Sequence, residues 1–304
     1  MTRANSFAST RRSFLQCVPA AAAWVLYPRC LRAEGKPRPP LSFTVVSDTH
    51  LGYRDQQHAA DQWGKTAAEI AQVPGEFVLH LGDVVDGGRE EQYPRYLETR
   101  KQIGRPVHEI PGNHDPQPLF EKYLRPQCDT AVDHDWLRVL LLNNARVDSH
   151  DGFLSDEQLG WIADQCADAA RRDMLLAIAM HVPAHANKHP DRGWYVHPES
   201  GQTKLYETLA AHQGRILALL HGHFHNGLRG WDDHPPLHEI CFPSALYNLD
   251  RQLEKQQAPG YNPAEFRPGF TQVHIEGDTL QLRFVAVGEE SKLEKALPIQ
   301  PAAG

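Results

Sequence analysis

Short apolar runs alternate with amphipathic stretches along most of this chain, and six of these runs are apolar almost throughout. Continuous runs of this kind are typical of strands that are buried on both faces of a sheet. The alternation therefore predicts an α/β protein of one domain. The six predicted strands are LSFTVVS (41–47), EFVLHLG (76–82), RPVHEIPG (105–112), WLRVLLLN (136–143), MLLAIAM (174–180) and RILALLHG (215–222).

Two local patterns predict further elements. In SDEQLGWIADQCADAARR (155–172), Ser155 and Gln158 have the spacing of a capping box ahead of an apolar stripe, which predicts a helix beginning after Ser155. Near the end of the chain, FTQVHIEGDTLQLRFVAV (270–287) alternates apolar and polar residues on both sides of EGDT, which predicts a β-hairpin. The polar stretch before it, 251–269, predicts a long surface connection.

The first 33 residues differ from the rest of the chain. TRRSFLQ places Arg11 and Arg12 directly before an apolar stretch from Phe14 to Tyr27, a pattern that resembles a twin-arginine export signal. We therefore expect a signal peptide over 1–33, a domain over 34–304, and a periplasmic or extracellular protein whose partner in export is machinery for folded proteins. An uncleaved membrane anchor is the alternative, although the apolar run is short for a bilayer span.

The net charge of the chain limits the classes of ligand that it is expected to bind. The formal net charge is −7, and loss of residues 1–33 would remove five arginines and no acidic residue, giving −12. An acidic surface is a poor platform for long nucleic acids, so no nucleic acid is expected as a stable partner. A small anionic substrate would need local positive charge, for which a metal is the natural source. No C-x-x-C pair is present, so the sequence does not suggest a thiolate metal site.

Side chains that bind metals follow the predicted strands at once. If these strand ends converge on one rim of a sheet, their carboxylate, amide and imidazole groups lie close together, and such mixed oxygen and nitrogen ligands suit manganese, zinc or iron. Seven ligands are too many for one tetrahedral ion and suit two divalent ions. The candidate ligands are Asp48, His50, Asp83, Asn113, His181, His221 and His223.

In order and spacing, these residues resemble the D-x-H, G-D-x-x-D, G-N-H-D, single-His and G-H-x-H motifs of the calcineurin-like metallophosphoesterase family. The resemblance extends from Ser42 to Tyr247 and implies a two-sheet β-sandwich flanked by helices, with a binuclear metal site at strand ends. It also implies how the ligands are shared: Asp48, His50 and His223 for the first ion, Asp83 as the bridge, and Asn113, His181 and His221 for the second.

The resemblance further implies that His114 is a catalytic residue and that Asp86 orients it. In this scheme two ions share a water and lower its pKa, and the resulting hydroxide attacks phosphorus while His114 acts as the acid for the leaving group. In the purple acid phosphatases, a related branch, the position of Asp86 is a tyrosine and the first motif ends in Gly. Asp86 and His50 therefore favour a branch similar to the phosphodiesterases.

The expected activity is hydrolysis of a phosphoester, with a phosphodiester favoured over a phosphomonoester. A catalytically silent metal-binding or interaction module on the same fold is the alternative from another class. Two questions stay open. The loop 184–203 could contact a substrate or be an ordinary surface insertion, and the oligomeric state is not predicted. Of the remaining polar residues, we expect His80 in the core and Asp115 in a turn. His225 and His238 could enlarge the site, but we expect them in exposed loops.

Overall fold

The predicted strands and helices form in the computed structural model, which describes residues 38–188, 193–231, 237–249, 262–289 and 292–299. The described residues contain these strands: β1 (Leu41–Val46), β2 (Val78–His80), β3 (Val107–Glu109), β4 (Thr130–His134), β5 (Leu137–Leu142), β6 (Leu175–Met180), β7 (Ile216–His221), β8 (Glu239–Cys241), β9 (Gly269–Glu276), β10 (Thr279–Ala286) and β11 (Lys292–Pro298). They also contain these α-helices: α1 (Gln56–Gln72), α2 (Gln92–Arg100), α3 (Gln117–Tyr123), α4 (Asp156–Arg171) and α5 (Gln202–Ala210).

The strands make two mixed sheets. The first has the order β11-β10-β9-β1-β2-β3, and the second has the order β4-β5-β6-β7-β8. Within them, β1, β2 and β3 run parallel, as do β5, β6, β7 and β8, while the other neighbours pair antiparallel. The carboxyl ends of parallel strands meet at one edge of each sheet, which is where loops from several strands can assemble a site.

Period-two alternation in the strands separates three apolar layers. In β5, Val139 and Leu141 face the layer between the two sheets, whereas Leu140 and Leu142 face α4 and α5. A third layer lies between the first sheet and helices α1 and α2, and Trp63 is buried in it. The result is a sandwich of two sheets with helices on both outer faces, as the sequence predicted.

The local signals of the sequence are also found. Ser155 caps α4 with both halves of a capping box, because its hydroxyl accepts from the Gln158 N–H and the Gln158 side chain accepts from the Ser155 N–H. The predicted hairpin is formed by β9 and β10, with Gly277 and Asp278 at the turn. Strands β4, β8 and β11 were not predicted, since they are short or polar.

The predicted signal peptide over 1–33 lies outside the described residues, as does most of the predicted connection between 251 and 269. Among the described residues, every helix is too short or too polar to cross a bilayer. The part of the chain from Lys36 onward forms one compact unit.

An imidazole pair joins the free edges of the two sheets. One edge of the first sheet is β3 and one edge of the second is β4, and the Nε2 atoms of His108 and His134 lie 3.0 Å apart. The His134 ring also stacks on Phe77, with 3.8 Å between ring centroids. One ring must donate and the other must accept, so the hydrogen bond requires that at least one imidazole is neutral.

Acidification is therefore expected to destabilise the fold through this pair. Burial first, and then the charge of His134, lowers the pKa of His108 to about 4, below the value of about 6.5 in an unfolded chain. The unfolded state binds the proton first, so the stabilisation is complete above about pH 6.5 and is lost as the pH falls toward 4. The measurement is the free energy of unfolding in urea at about pH 7.5 and about pH 5.

We expect His108→Gln to remove about 1 kcal/mol of the acid-induced loss, a figure that allows for the partial exposure of the ring. His58→Gln, which changes an exposed imidazole in the first turn of α1, should leave the loss unchanged. An equally steep loss of stability in His108→Gln and in the unchanged protein would contradict the prediction.

Candidate metal centre

The candidate ligands meet at one rim of the sandwich, at the carboxyl ends of strands from both sheets. Asp48 follows β1, Asp83 follows β2 and Asn113 follows β3, all in the first sheet. His181 directly follows β6, and His223 comes two residues after β7, both in the second sheet. Each of the five side chains is buried. Two sheets therefore contribute to one polar group that lies above an apolar layer.

The backbone at this rim is strained. Asp48, His50, Asp83, His223 and His225 all have positive φ, between 43° and 73°. Non-glycine residues seldom adopt this conformation, and such residues cluster at functional sites. In an extended strand, the period of two would point Asp48 and His50 to one side. They do lie together, but through left-handed turns.

The first group of side chains consists of Asp48, His50, Asp83 and His225. His225 Nε2 lies 3.0 Å from Asp48 Oδ1 and 3.2 Å from His50 Nε2. His50 Nε2 is also 3.4 Å from Asp83 Oδ2. Two carboxylates and two imidazoles thus direct their polar atoms at one small volume, which is the donor set that a divalent transition metal prefers.

The second group contains Asp83 again, together with His181 and His223. Asp83 Oδ2 lies 3.3 Å from His181 Nε2, which is 3.2 Å from His223 Nδ1. Asn113 is 7% exposed, and no donor among the described residues reaches its Oδ1 atom. A buried amide oxygen without a partner is costly unless a cation or water satisfies it. Asp83 is shared by both groups, which is the position that the sequence assigned to a bridging ligand.

Two glycines allow these carboxylates to approach the backbone. A Cβ atom on Gly112 would lie 2.2 Å from Asp83 Oδ1, and a Cβ atom on Gly222 would lie 2.2 Å from the Ser47 hydroxyl and 2.7 Å from Asp48 Oδ2. Any side chain at either position would displace a carboxylate. The glycines of the G-N-H-D and G-H-x-H motifs are therefore steric requirements of this centre.

The charges of the site favour the ionised forms of Asp48, Asp83 and His181 through their pKa values. Burial alone would raise the pKa of Asp48, but the charge and hydrogen bond of His225 lower it below its usual range. Burial would likewise raise the pKa of Asp83, but His181 and His50 lower it. Burial would lower the pKa of His181, yet the charge of Asp83 raises it to about 9. Both carboxylates are therefore ionised, and the site attracts positive charge.

Asp86 contacts His114, as the sequence predicted, and also contacts His50. Asp86 Oδ1 lies 3.1 Å from His114 Nδ1 and 3.3 Å from His50 Nδ1. Burial would raise the pKa of Asp86, but its hydrogen bonds with both imidazoles lower it. Burial would lower the pKa of His114, and the hydrogen bond with Asp86 raises it. Asp86 thus lies on the Nδ1 side of both rings, where the Gly87 N–H also donates to His114 Nδ1 at 3.0 Å, and Nε2 of His50 faces the first group.

Asp115 holds the turn that carries Asn113 and His114. Its carboxylate accepts from the backbone N–H groups of Val84, Val85 and Gly112 at 3.0–3.1 Å. The turn role expected from the sequence is therefore confirmed. In addition, the His114 N–H donates to Asp83 Oδ1 at 2.8 Å.

The structure corrects the placement of His221. Its ring is fully buried in a separate group with His185 and Glu239, and its Nε2 lies 3.6 Å from Glu239 Oε2. The chain turns after β7, since His223 has φ of 73°, so His221 and His223 do not continue one extended strand and point in different directions. His221 therefore does not join the centre with His223.

His225 lies where another histidine was predicted from the sequence. It was expected in an exposed loop, but it is 2% exposed and contacts both Asp48 and His50. Its Nδ1 faces the Tyr247 carbonyl at 2.8 Å, which leaves Nε2 for the first group. The signal was present in the sequence, because the G-H-x-H motif reads Gly222-His223-Phe224-His225. His238, also expected in an exposed loop, is buried as well.

A family model described as calcineurin-like phosphoesterase matches residues 41–227, which include both groups of side chains. The chain belongs to this family. The match covers more than half of the 304 residues and ends two residues beyond His225. This calcineurin-like phosphoesterase therefore carries its family motifs at the rim where the structure gathers its buried carboxylates and imidazoles.

Two curated relatives are phosphodiesterases by name. A glycerophosphodiester phosphodiesterase from Enterobacter lignolyticus is 31% identical over 157 residues, which are 45% of this chain and 55% of the relative. A 3',5'-cyclic adenosine monophosphate phosphodiesterase from Haemophilus influenzae is 28% identical over 200 residues, which are 62% of this chain and 71% of the relative. The match to the first relative thus spans about half of that protein's length.

A solved structure shows the same fold. A dimetal phosphatase from Danio rerio superposes on 86% of this calcineurin-like phosphoesterase and 99% of its own chain, with a TM-score of 0.63 and 15% sequence identity. At this identity the similarity concerns architecture. The two-sheet sandwich predicted from the sequence is confirmed.

Proposed function

We propose that this calcineurin-like phosphoesterase hydrolyses a phosphodiester with two bound divalent metal ions. The observation that carries the proposal is the sharing of Asp83 between two groups of buried imidazoles and carboxylates. A carboxylate with two oxygens can serve two cations at the short separation that two-metal hydrolases use. One group alone would suit one ion. Two groups with a common carboxylate suit a pair.

The donor set fits such a pair. Its oxygen and nitrogen donors suit manganese, zinc or iron, and the buried Oδ1 atom of Asn113 offers a further ligand. Neither group contains a thiolate among its described members. The proposed ligands are Asp48, His50, Asp83 and His225 for the first ion, and Asp83, Asn113, His181 and His223 for the second.

His114 is the proposed proton donor to the leaving group. When bound, two ions lower the pKa of a shared water toward neutrality and neutralise phosphoryl oxygens. His114 lies beside His50, with 4.7 Å between ring centroids, but it is about 30% exposed, whereas the His50 side chain is buried. The Asp86 carboxylate lies 3.1 Å from His114 Nδ1 and raises the pKa of the ring, so that the ring can give a proton to an alkoxide from Nε2.

The preference for a phosphodiester is supported by the names of the relatives and by the motif residues His50 and Asp86. The first experiment compares bis(p-nitrophenyl) phosphate with p-nitrophenyl phosphate, using protein loaded with manganese. We expect a higher kcat/KM for the diester. A preference for the monoester would make this protein a phosphomonoesterase and leave the metal centre in place. Two bound metals without any turnover would instead favour a silent binding module.

The export route is a second part of the proposal. The RR pair at Arg11 and Arg12 before an apolar run supports a twin-arginine signal peptide over 1–33, which would deliver a folded and metal-loaded protein to the periplasm or beyond. We expect that changing both arginines to lysine retains the full-length precursor inside the cell, as measured by fractionation and immunoblotting. Normal export of that variant would exclude this route.

A further inference from the structure

An imidazole outside the two groups lies beside the second of them. His150 belongs to the loop between β5 and α4, and its Nδ1 accepts from the Asn113 amide Nδ2 at 3.4 Å. Its ring is 6.0 Å from the ring of His223, measured between centroids. His114, by contrast, contacts the first group through His50 and Asp86. His114 and His150 thus lie next to different groups of the centre.

The ring of His150 is held in place although it is exposed. It stacks on Trp194, with 4.1 Å between ring centroids and 18° between ring planes. Trp194 is half-buried and lies 5.6 Å from the His223 ring. A stacked pair of this kind restricts the rotation of both side chains. A solute that enters the centre would meet a ring in a defined orientation.

The two loops that carry this pair are joined by backbone hydrogen bonds. The Gly152 N–H donates to the Tyr195 carbonyl at 3.2 Å, and the Leu154 N–H donates to the Ser200 carbonyl at 2.9 Å. Gly152 is required for this approach, because a Cβ atom there would lie 2.6 Å from a methyl group of Val196. Side chains on joined loops are better suited to bind a ligand than side chains on independent ones.

The chemistry of His150 suits a phosphoryl group. Because its Nδ1 accepts from Asn113, a neutral ring carries its proton on Nε2 and can donate to a phosphoryl oxygen. The carboxylate of Asp151, the next residue in the chain, pairs with His197 at 3.3 Å, and the carboxylates of the centre would be neutralised by bound ions. Its neighbour Asn113 is a proposed metal ligand, so an oxygen held at the second ion would lie within reach of this loop.

We propose that His150 is a substrate-contacting residue that binds the phosphoryl group beside the second ion, and that Trp194 is the positioning residue that holds its ring. This inference rests on the proposed function, because it requires a phosphoester in the centre. It adds a binding contact from a loop that carries none of the family motifs. It also gives one part of the open 184–203 loop, Trp194, a role at the site.

The test measures kcat, KM and phosphate binding in His150→Ala and Trp194→Ala, with protein saturated in manganese. A hydrogen bond to a charged group is worth enough to raise KM roughly tenfold to a hundredfold when it is lost. We expect such an increase for bis(p-nitrophenyl) phosphate in His150→Ala, with kcat within about threefold. The affinity for inorganic phosphate in calorimetry should fall by a similar factor, while metal content stays the same.

Trp194→Ala should show the same changes to a smaller extent, and the double variant should be no worse than His150→Ala, because both act through one ring. His150→Gln should recover part of the affinity by restoring a donor. The matched control is His197→Ala, which removes an imidazole from the same pair of loops; this ring pairs with Asp151 at 3.3 Å. We expect no change in KM there.

Three outcomes would overturn the inference. Unchanged KM and phosphate affinity in His150→Ala would show that the ring does not contact substrate. Loss of a metal ion in that variant would make His150 a support for Asn113 only. An equal increase of KM in His197→Ala would assign the effect to loop structure. If the unchanged protein turns over substrate and any of these results is found, only the inference about His150 is contradicted. If phosphate binding depends on His150 but the unchanged protein has no turnover, only the proposed function is contradicted.

Discussion

Replacing His225 by alanine is expected to remove one metal ion and nearly all activity, whereas replacing His221 by glutamine is expected to retain both ions. His225 Nε2 lies within 3.2 Å of both Asp48 and His50, while His221 lies in the separate group with Glu239. Changes to side chains that merely support metal ligands already cost about 10–100-fold in affinity. Loss of a ligand itself should cost at least roughly 100-fold.

Metal content per folded chain, measured by elemental analysis after gel filtration, separates the two positions. His221 is fully buried, so His221→Gln can lower the free energy of unfolding, and circular dichroism should accompany the metal measurement. Glu239→Gln disturbs the same separate group through another residue and should also keep both ions. Retention of two ions by His225→Ala, together with loss of one by His221→Gln, would restore the assignment first made from the sequence.

Replacing His114 by alanine is expected to reduce kcat by roughly 10²–10⁴, the usual contribution of a general acid, with both metals retained. His114 is positioned by Asp86 and does not belong to the group that contains Asp83, His181 and His223. Its loss removes a proton donor without removing a ligand. The loss should be smaller for a substrate with an acidic leaving group such as p-nitrophenol than for an alkyl diester, because such a group needs less protonation.

Three comparisons make this result specific. His58→Ala removes an exposed imidazole from α1 and should retain full activity. Asp86→Asn should reduce kcat less than His114→Ala, since the ring remains but its protonated form is less favoured. If His114→Ala loses a metal ion, His114 is a ligand and its role as an acid is wrong; an equal loss of rate for both leaving groups would contradict proton donation as well.

Much of the fold could be predicted because its signals are local. The buried strands were visible as continuous apolar runs, and Ser155 and Gln158 marked the start of α4. The hairpin of β9 and β10 was visible from strict alternation on both sides of one turn. The missed strands have no such signal: β4 is only half-buried, and β8 has three residues. Strands like these form because a neighbouring strand offers an edge.

The candidate site, like the fold, could be predicted only in part. The sequence showed which strands end in carboxylates and imidazoles, and their types predicted metal chemistry. The resemblance to the family implied a shared position for Asp83. It did not show the direction of each side chain after the strands end. At His223 the backbone turns to a positive φ, held by its N–H group, which donates to Asp48 from 175 residues away. A contact between two sheets decides that turn, and no local pattern encodes it.

The elements, the donor types and the family of this protein could thus be predicted without a structure, because alternation and capping act over a few residues and the motifs can be read in order along the chain. Tertiary structure alone decided that His225 rather than His221 joins Asp48, that His221 pairs with Glu239, and that His150 lies on Trp194 beside Asn113. These choices depend on strained backbone turns and on loops from two sheets. Their energies come from contacts between residues that are distant in the chain.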